Sequence, residues 1–445
     1  MLRVSLILVL FLSLLTGCPA SSPDVRQDRP DSTLAAAPAS QDPNLDVANL
    51  PDRTALMVGG ILRDVTTARR LDLLAPLVAR GIDREAHAAY IKAEASREKS
   101  VRALRMQSLC MKAVGSIPPD MDLMAMATSF MTDEVAGYYD WERKTLFVCD
   151  WSLVEDQDAV LAHEMTHVLQ DQHFDLARIS DPIEGISEPF SAGLAVAEGD
   201  AMATMAATLG VDPVRNSRIM YEMADAMQKE LAGGDAKDGT GVSSTVPNIV
   251  EQAFMWYYID GTRYVAGLLG RGGWDAVNEA LRNPPLSTEQ ILHPSKTGVP
   301  DYPMNVRMSP DIVPDATWVG SEILGEASLR LLFGQVMPPA QVLEAASGWD
   351  GDRFGLWIGP GGETIMVVAS VWDSAMDART AADAFNRLAI PPTSLQVEFD
   401  KLVAVWGLAP EVSAPLATRV LSNMDFVEIR SWDDWLKEAE PPPAP

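Results

Sequence analysis

The chain has 445 residues, with 62 acidic against 35 basic side chains and a formal net charge of −27. Such a surface repels nucleic-acid phosphates and anionic headgroups, so nucleic acid is excluded as a partner and the charge reads as a solvated face. Histidine is rare, five in the whole chain, so two of them inside one short motif are informative.

The chain begins Met1-Leu2-Arg3, continues as an apolar run through Leu15 and ends that run in Leu15-Thr16-Gly17-Cys18. One basic residue, a short apolar core and small residues before a cysteine predict a secretory signal peptide over 1–18. The run is too short and too near the terminus for a stable spanning helix. Its last four residues resemble the lipobox of bacterial lipoproteins. By that resemblance Cys18 is lipidated and becomes the first residue of the mature protein; an ordinary cleaved signal is the alternative. Residues 19–48 are rich in Pro, Ala, Ser, Asp and Gln and lack periodic apolar residues, which predicts a disordered tether. Pro19, not an aspartate, follows the cysteine. The expectation is therefore an exported envelope lipoprotein, held through its lipid on the outer membrane and facing the periplasm.

Residues 49–315 are expected to form one domain, opening with a helical layer over 54–113. Val135-Ala-Gly-Tyr-Tyr-Asp140 and Lys144-Thr-Leu-Phe-Val148 are aromatic and β-branched around a polar Trp141-Glu-Arg turn, which predicts a hairpin. A helix follows, capped by Asp156 or Asp158 and running to about Phe174. It carries His163-Glu-Met-Thr-His167. Helical residues four apart lie on one face, so His163 and His167 present two imidazoles to one point, as a tetrahedral zinc ion requires. Glu164 is turned by about 100° from His163 and lies beside the ion's open position, where a glutamate serves as general base. No charged residue other than Glu164 interrupts Ala159–Gln170, as expected of a helix buried beneath a cleft rather than a solvated one.

Zinc needs a third protein ligand. His173 lies six residues past His167, the elongated metzincin spacing, but Gln170 stands where that motif turns on a glycine. In a continuing helix His173 points off the metal face and reads as a C-terminal histidine favoured by the macrodipole. The better candidate is Glu198. In Pro189–Leu209 it and Asp200 are the only charged residues of an otherwise small, apolar segment, and a buried carboxylate is costly unless paired or metal-bound. Glu184 and Glu188 remain alternatives beside His173.

Gly233–Gly241 is expected to be a surface loop, and residues 250–282 a helix. Asn283-Pro-Pro-Leu-Ser-Thr-Glu-Gln-Ile-Leu-His-Pro294 is stiffened by prolines at both ends. It could hold His293 over the cleft as the second stabiliser of an oxyanion, with Tyr264 in reserve; a structural histidine bonding a backbone carbonyl is the alternative. From 316 to 436 strand-like runs at Arg353–Ile358, Thr364–Trp372, Leu402–Trp406 and Phe426–Ile429 alternate with helical stretches such as Ser374–Leu388, which predicts a smaller α+β domain. Residues 437–445 read as a disordered tail. Cys110 and Cys149 permit one disulfide or two buried thiols. No internal repeat and no phosphate-binding glycine motif is found.

Four stretches together, the Val135–Asp140 strand, His163–Phe174, Ala197-Glu-Gly-Asp-Ala201 and Pro284–Pro294, resemble a bacterial and archaeal group of gluzincin-type zinc metallopeptidases. The likeness covers roughly 130–300. Trp141 departs from it, where a turn proline is usual, and so does Thr297, where an aromatic is. The resemblance implies an α+β, mainly helical zincin-like core with a small sheet before the metal helix, one Zn2+ held by His163, His167 and Glu198, and Glu164 as base. It implies hydrolysis of peptide or protein substrates. The competing expectation is a catalytically inactive zincin fold acting as an envelope binding or assembly module.

Overall fold

A computed structural model describes residues 43–126, 128, 136–149, 151, 157–233, 248–296 and 301–439. The expected signal peptide, Cys18, most of the tether, Gly234–Gly241 and residues 440–445 lie outside them. The fold is α+β, with helices and, among the described residues, three small sheets. It divides into two compact units: Met1–Ser100 with Thr128–Asp181 and Ala201–Asp212, and Val101–Ala127 with Pro182–Asp200 and Pro213–Pro445.

The first unit is built on a four-stranded sheet. Its strands are β1 (Leu45–Asp46), β2 (Leu77–Ile82), β3 (Gly137–Asp140) and β4 (Thr145–Cys149), in the order β1-β2-β4-β3. β1, β2 and β4 run parallel, and β3 closes the edge antiparallel to β4. Parallel neighbours need a long crossover. Helix α1 (Asp52–Arg69) supplies the first, burying a stripe of Val58, Ile61, Leu62 and Val65 at helical spacing. Helices α2 (Arg84–Ala95) and α3 (Glu98–Ala113) follow β2. β2 is a strand inside the stretch expected to be helical throughout. Leu77-Val-Ala-Arg-Gly-Ile is short and does not alternate, and its partners lie far away in sequence, so no local pattern marks it. Leu45 and Asp46, placed in the tether from sequence, pair with Leu77 and Val78, and Asp46 holds Arg80 at 2.8 Å.

The expected hairpin is present as β3–β4. Its turn is closed by Asp140, whose carboxylate accepts from the Arg143 backbone N–H at 2.9 Å and from the Arg143 guanidinium at 2.7 Å. Helix α4 (Gln157–Phe174) packs on β3, β4 and α1 and is buried without a break from Ala159 to Asp171. Its first turn contains Asp158; Asp156 is outside the described residues. The short helix α5 (Leu176–Ser180) follows.

The second unit carries most of α6 (Ser187–Thr208), then α7 (Ser217–Gly233), α8 (Asn248–Arg282) and α9 (Thr288–Leu292). Its sheet is fully antiparallel, in the order β6 (Thr317–Glu322), β7 (Trp349–Ile358), β8 (Thr364–Trp372), β10 (Lys401–Trp406) and β9 (Ser394–Glu398). β5 (Met304–Arg307) and β11 (Asp425–Glu428) form a separate ribbon. Helices α10 (Gly325–Gly334), α11 (Pro339–Ala346), α12 (Ala375–Phe385), α13 (Pro410–Ser422) and α14 (Trp432–Glu438) complete it. α13 packs on β9 and β10 over a core that includes Val367, Ala369, Val403, Val405, Leu416 and Ala417, and α12 packs on the same strands with Phe385 against Trp406. Cys110 and Cys149 are buried and are not joined in a disulfide. Burial, with the Asp352 charge, pushes the Cys110 thiol up to about 12. Among the described residues no helix is long and apolar enough to cross a membrane.

Candidate metal centre

The centre starts from α4. A helix buried on all sides has no solvent to satisfy its polar side chains, so each needs a partner. Thr166 donates to the Ala162 carbonyl at 2.8 Å. His163 and His167 turn their Nε2 atoms toward each other at 3.1 Å, with ring planes 80° apart. Two nitrogens bound tetrahedrally to one zinc at about 2.0–2.1 Å would lie about 3.3 Å apart. His167 Nδ1 lies 2.8 Å from Gln170 Oε1. Donation of Nδ1–H to that amide oxygen fixes the tautomer and leaves the Nε2 lone pair facing His163, the usual outer-shell support of a metal-bound imidazole.

Glu198 completes the group. One ligand atom from each of His163, His167 and Glu198 lies within 4.8 Å of the others, and all three residues are buried. Two imidazoles and one carboxylate are the donor set of a zinc site that keeps its fourth position open. The buried trio could hold a metal ion. It is the one such group of three among the described residues.

The alternative ligands lie elsewhere. His173 Nε2 donates to the Asp72 carbonyl at 2.7 Å. Glu184 pairs with Arg102 at 3.2 Å. Glu188 is buried and accepts from Thr288, through N–H at 2.6 Å and Oγ1 at 2.7 Å.

Glu164 is set by the hairpin. Its Oε2 accepts the Tyr139 backbone N–H at 3.0 Å. β3 is the sheet edge, so this donor is available to a side chain rather than a further strand. The same tyrosine ties the hairpin to α4 again: its hydroxyl donates to Asp171 Oδ2 at 2.6 Å, and Lys144 Nζ reaches both Asp171 oxygens at 2.8 Å. Burial, then the Asp171 charge, raises the Tyr139 pKa far above its ordinary value, so the phenol stays a donor. Gly137 lets β3 lie against α4, since a Cβ there would come within 2.9 Å of Leu161 Cδ2 and 2.8 Å of the Phe147 carbonyl.

His293 caps the C-terminus of α9, and its Nε2 lies 2.9 Å from Glu326 Oε1 and 3.1 Å from Arg330 Nη2. Arg330 also grips Glu326 at 2.6 Å. The proline-bounded segment around it is a tie: the Ala327 N–H donates to Thr288 Oγ1 at 3.1 Å, and Lys296 holds Glu289 at 2.8 Å. Burial pushes Glu188 up to about 8, against the two bonds from Thr288. It pushes Glu289 up to about 8 as well, against Lys296. Tyr264 is a buried residue of α8.

Gln170, Tyr139 and Asp171 support the centre without having been singled out for that role from sequence. Gln170 and Asp171 carry a usable signal, since they stand three and four residues past His167 on the same helix face. Tyr139 acts on Glu164 through its backbone, which no side-chain motif records. Residues 316–411 match a family described as a Domain of unknown function (DUF8575). No curated protein matches the chain, and no solved structure does. The matched segment lies beyond every candidate metal ligand and is silent on their chemistry.

Proposed function

We propose that the protein is a zinc-dependent metallopeptidase, with His163, His167 and Glu198 as ligands of one ion and Glu164 as general base. The observation that carries this reading is the buried trio of two imidazoles and a carboxylate, with Glu164 following His163 in the same helix. A zinc ion supplies Lewis-acid chemistry, lowering the pKa of water to about 7 and polarising a carbonyl oxygen. Glu164, steadied through Oε2 by the Tyr139 N–H, takes the proton of the attacking water and returns it to the leaving amine. His293 serves as oxyanion donor only if Nε2 leaves Glu326 and Arg330; their hold favours a role in tying α9 to α10. Lipid anchoring at Cys18 belongs to the same reading: Cys18→Ala is expected to move the protein from the membrane to the soluble fraction.

A second reading has its own support. His163 and His167 are 1% exposed and Glu164 and Glu198 0%, a closure that suits an inactive zincin fold used as a binding or assembly module. The retained Glu164 weighs against it, because a structural zinc site has no use for a base and fills its fourth position. The two separate on one experiment. Zinc-loaded wild type and Glu164→Gln are incubated with casein and a peptide library. The peptidase reading expects cleavage by wild type, and loss of it in the variant at equal zinc content. Stoichiometric zinc with no cleavage selects the module, and absence of any stoichiometric metal removes the peptidase reading.

A further inference from the structure

The sequence accounts for Glu198 as a ligand but not for the glycine beside it, and α8 supplies a physical reason. A Cβ on Gly199 would lie 2.2 Å from the Gly261 carbonyl oxygen, 2.4 Å from its carbon and 2.8 Å from Val265 Cγ2. A Cβ on Gly261 would lie 2.1 Å from the Ala195 carbonyl oxygen and 3.0 Å from its carbon. α6 and α8 therefore meet backbone to backbone, within one turn of Glu198 on the α6 side. On the α8 side, Tyr258, Thr262, Val265 and Leu269 beside Gly261 are buried. The atoms in the way are mainly main-chain carbonyls, which cannot rotate aside as a flexible side-chain end can.

We propose that the Gly199–Gly261 close approach is a positioning device that sets where α6 carries Glu198 relative to His163 and His167. This rests on reading those three residues as metal ligands. A methyl group at either glycine needs 3.4 Å or more for an ordinary contact with a carbonyl oxygen, and 2.1–2.2 Å is available. The helices must then part by about 1 Å, whereas metal–ligand distances are held to about ±0.2 Å. Glu198 is 0% exposed in a close-packed interior, so its side chain follows such a shift only by leaving its rotamer. The same contact explains why a glycine, poor in helix propensity, interrupts the alanine-rich run of α6.

The test is competition titration of the apoproteins with zinc, together with the absorption spectrum of the cobalt-substituted forms. Gly199→Ala and Gly261→Ala are expected to bind zinc at least tenfold more weakly than wild type and to lose four-coordinate cobalt intensity. Gly267→Ala, on the same helix, meets only the Tyr221 hydroxyl at 3.2 Å and Arg271 Nη1 at 3.5 Å, and is expected to bind as wild type does. Leu269→Ala, a core truncation on α8, controls for lost stability alone. A merely structural role is excluded by a cycle: in a Glu198→Gln background, Gly199→Ala should change zinc affinity less than twofold, because the ligand it misplaces is already gone.

If the alanine variants do not fold, Glu198→Asp decides. It shortens the arm by about 1.5 Å and leaves the helix contact alone, and a helix anchored at Gly199 cannot follow. The expected result is the zinc loss of Glu198→Ala. Wild-type affinity in Glu198→Asp, or in both folded glycine variants, overturns the proposal while the metal centre stands. A wild type that takes up no metal overturns both.

Discussion

Gln170→Leu tests whether the second nitrogen of His167 is held for a purpose. Gln170 is buried, and its Oε1 lies 2.8 Å from His167 Nδ1. Leucine has nearly the volume of glutamine, so packing is kept and the change is the lost acceptor. Two routes give the size of the effect. Removing an outer-shell partner of a metal-bound histidine costs about 10- to 100-fold in affinity, or about 1.4–2.7 kcal/mol. A buried donor left without an acceptor costs about 1–3 kcal/mol. The routes agree, so zinc should bind about 10- to 100-fold more weakly to Gln170→Leu. The assay is titration of apoprotein against a chromophoric zinc chelator at neutral pH, wild type beside variant. Gln170→Glu should bind at least as tightly as wild type, since a carboxylate accepts the same N–H more strongly. Affinity of Gln170→Leu within twofold of wild type would refute the reasoning, because the ring would then need no orienting partner.

Other outcomes follow from the same geometry. Metal analysis of purified variants should find zinc lost in Glu198→Ala and kept in His173→Ala, whose ring is spent on the Asp72 carbonyl; the reverse would restore the metzincin-like assignment. Thr288→Val removes a donor to Glu188 and an acceptor for the Ala327 N–H, and should destabilise the fold by about 1–3 kcal/mol in urea titration. The pH dependence has a definite sign. Glu188 is raised from 4.5 to about 8, so the folded chain binds its proton more tightly than the unfolded chain. Its stabilising share is full below about pH 4.5 and is lost as pH rises towards 8. Glu289, also raised to about 8, acts in the same direction. Thermal midpoints across this range should therefore fall less steeply in Glu188→Gln than in wild type; identical slopes would rule out Glu188 as the source.

The parts of this protein legible in sequence are those that short-range geometry dictates. His163 and His167 share a face because a helix repeats every 3.6 residues, whatever surrounds it. The β3–β4 hairpin shows in its aromatic runs and polar turn, and β8 in Thr364–Trp372, each being a local pairing with a local signal. β2 had no such signal, because its partners β1 and β4 are brought to it by crossovers and not by its own pattern.

The centre divides along the same line. Four-residue spacing fixed the imidazole pair, and the isolation of a carboxylate in an apolar helix pointed to Glu198. Whether that carboxylate, or His173, Glu184 or Glu188, stands by the imidazoles depends on how α4 continues and on what packs beside it, and Coulomb and coordination forces act across a few ångströms of space rather than along the chain. The tie of His293 to Glu326 and Arg330, and of Tyr139's backbone to Glu164, were likewise decided by tertiary structure alone. A histidine or a main-chain N–H carries no mark of its eventual partner until distant elements close around it.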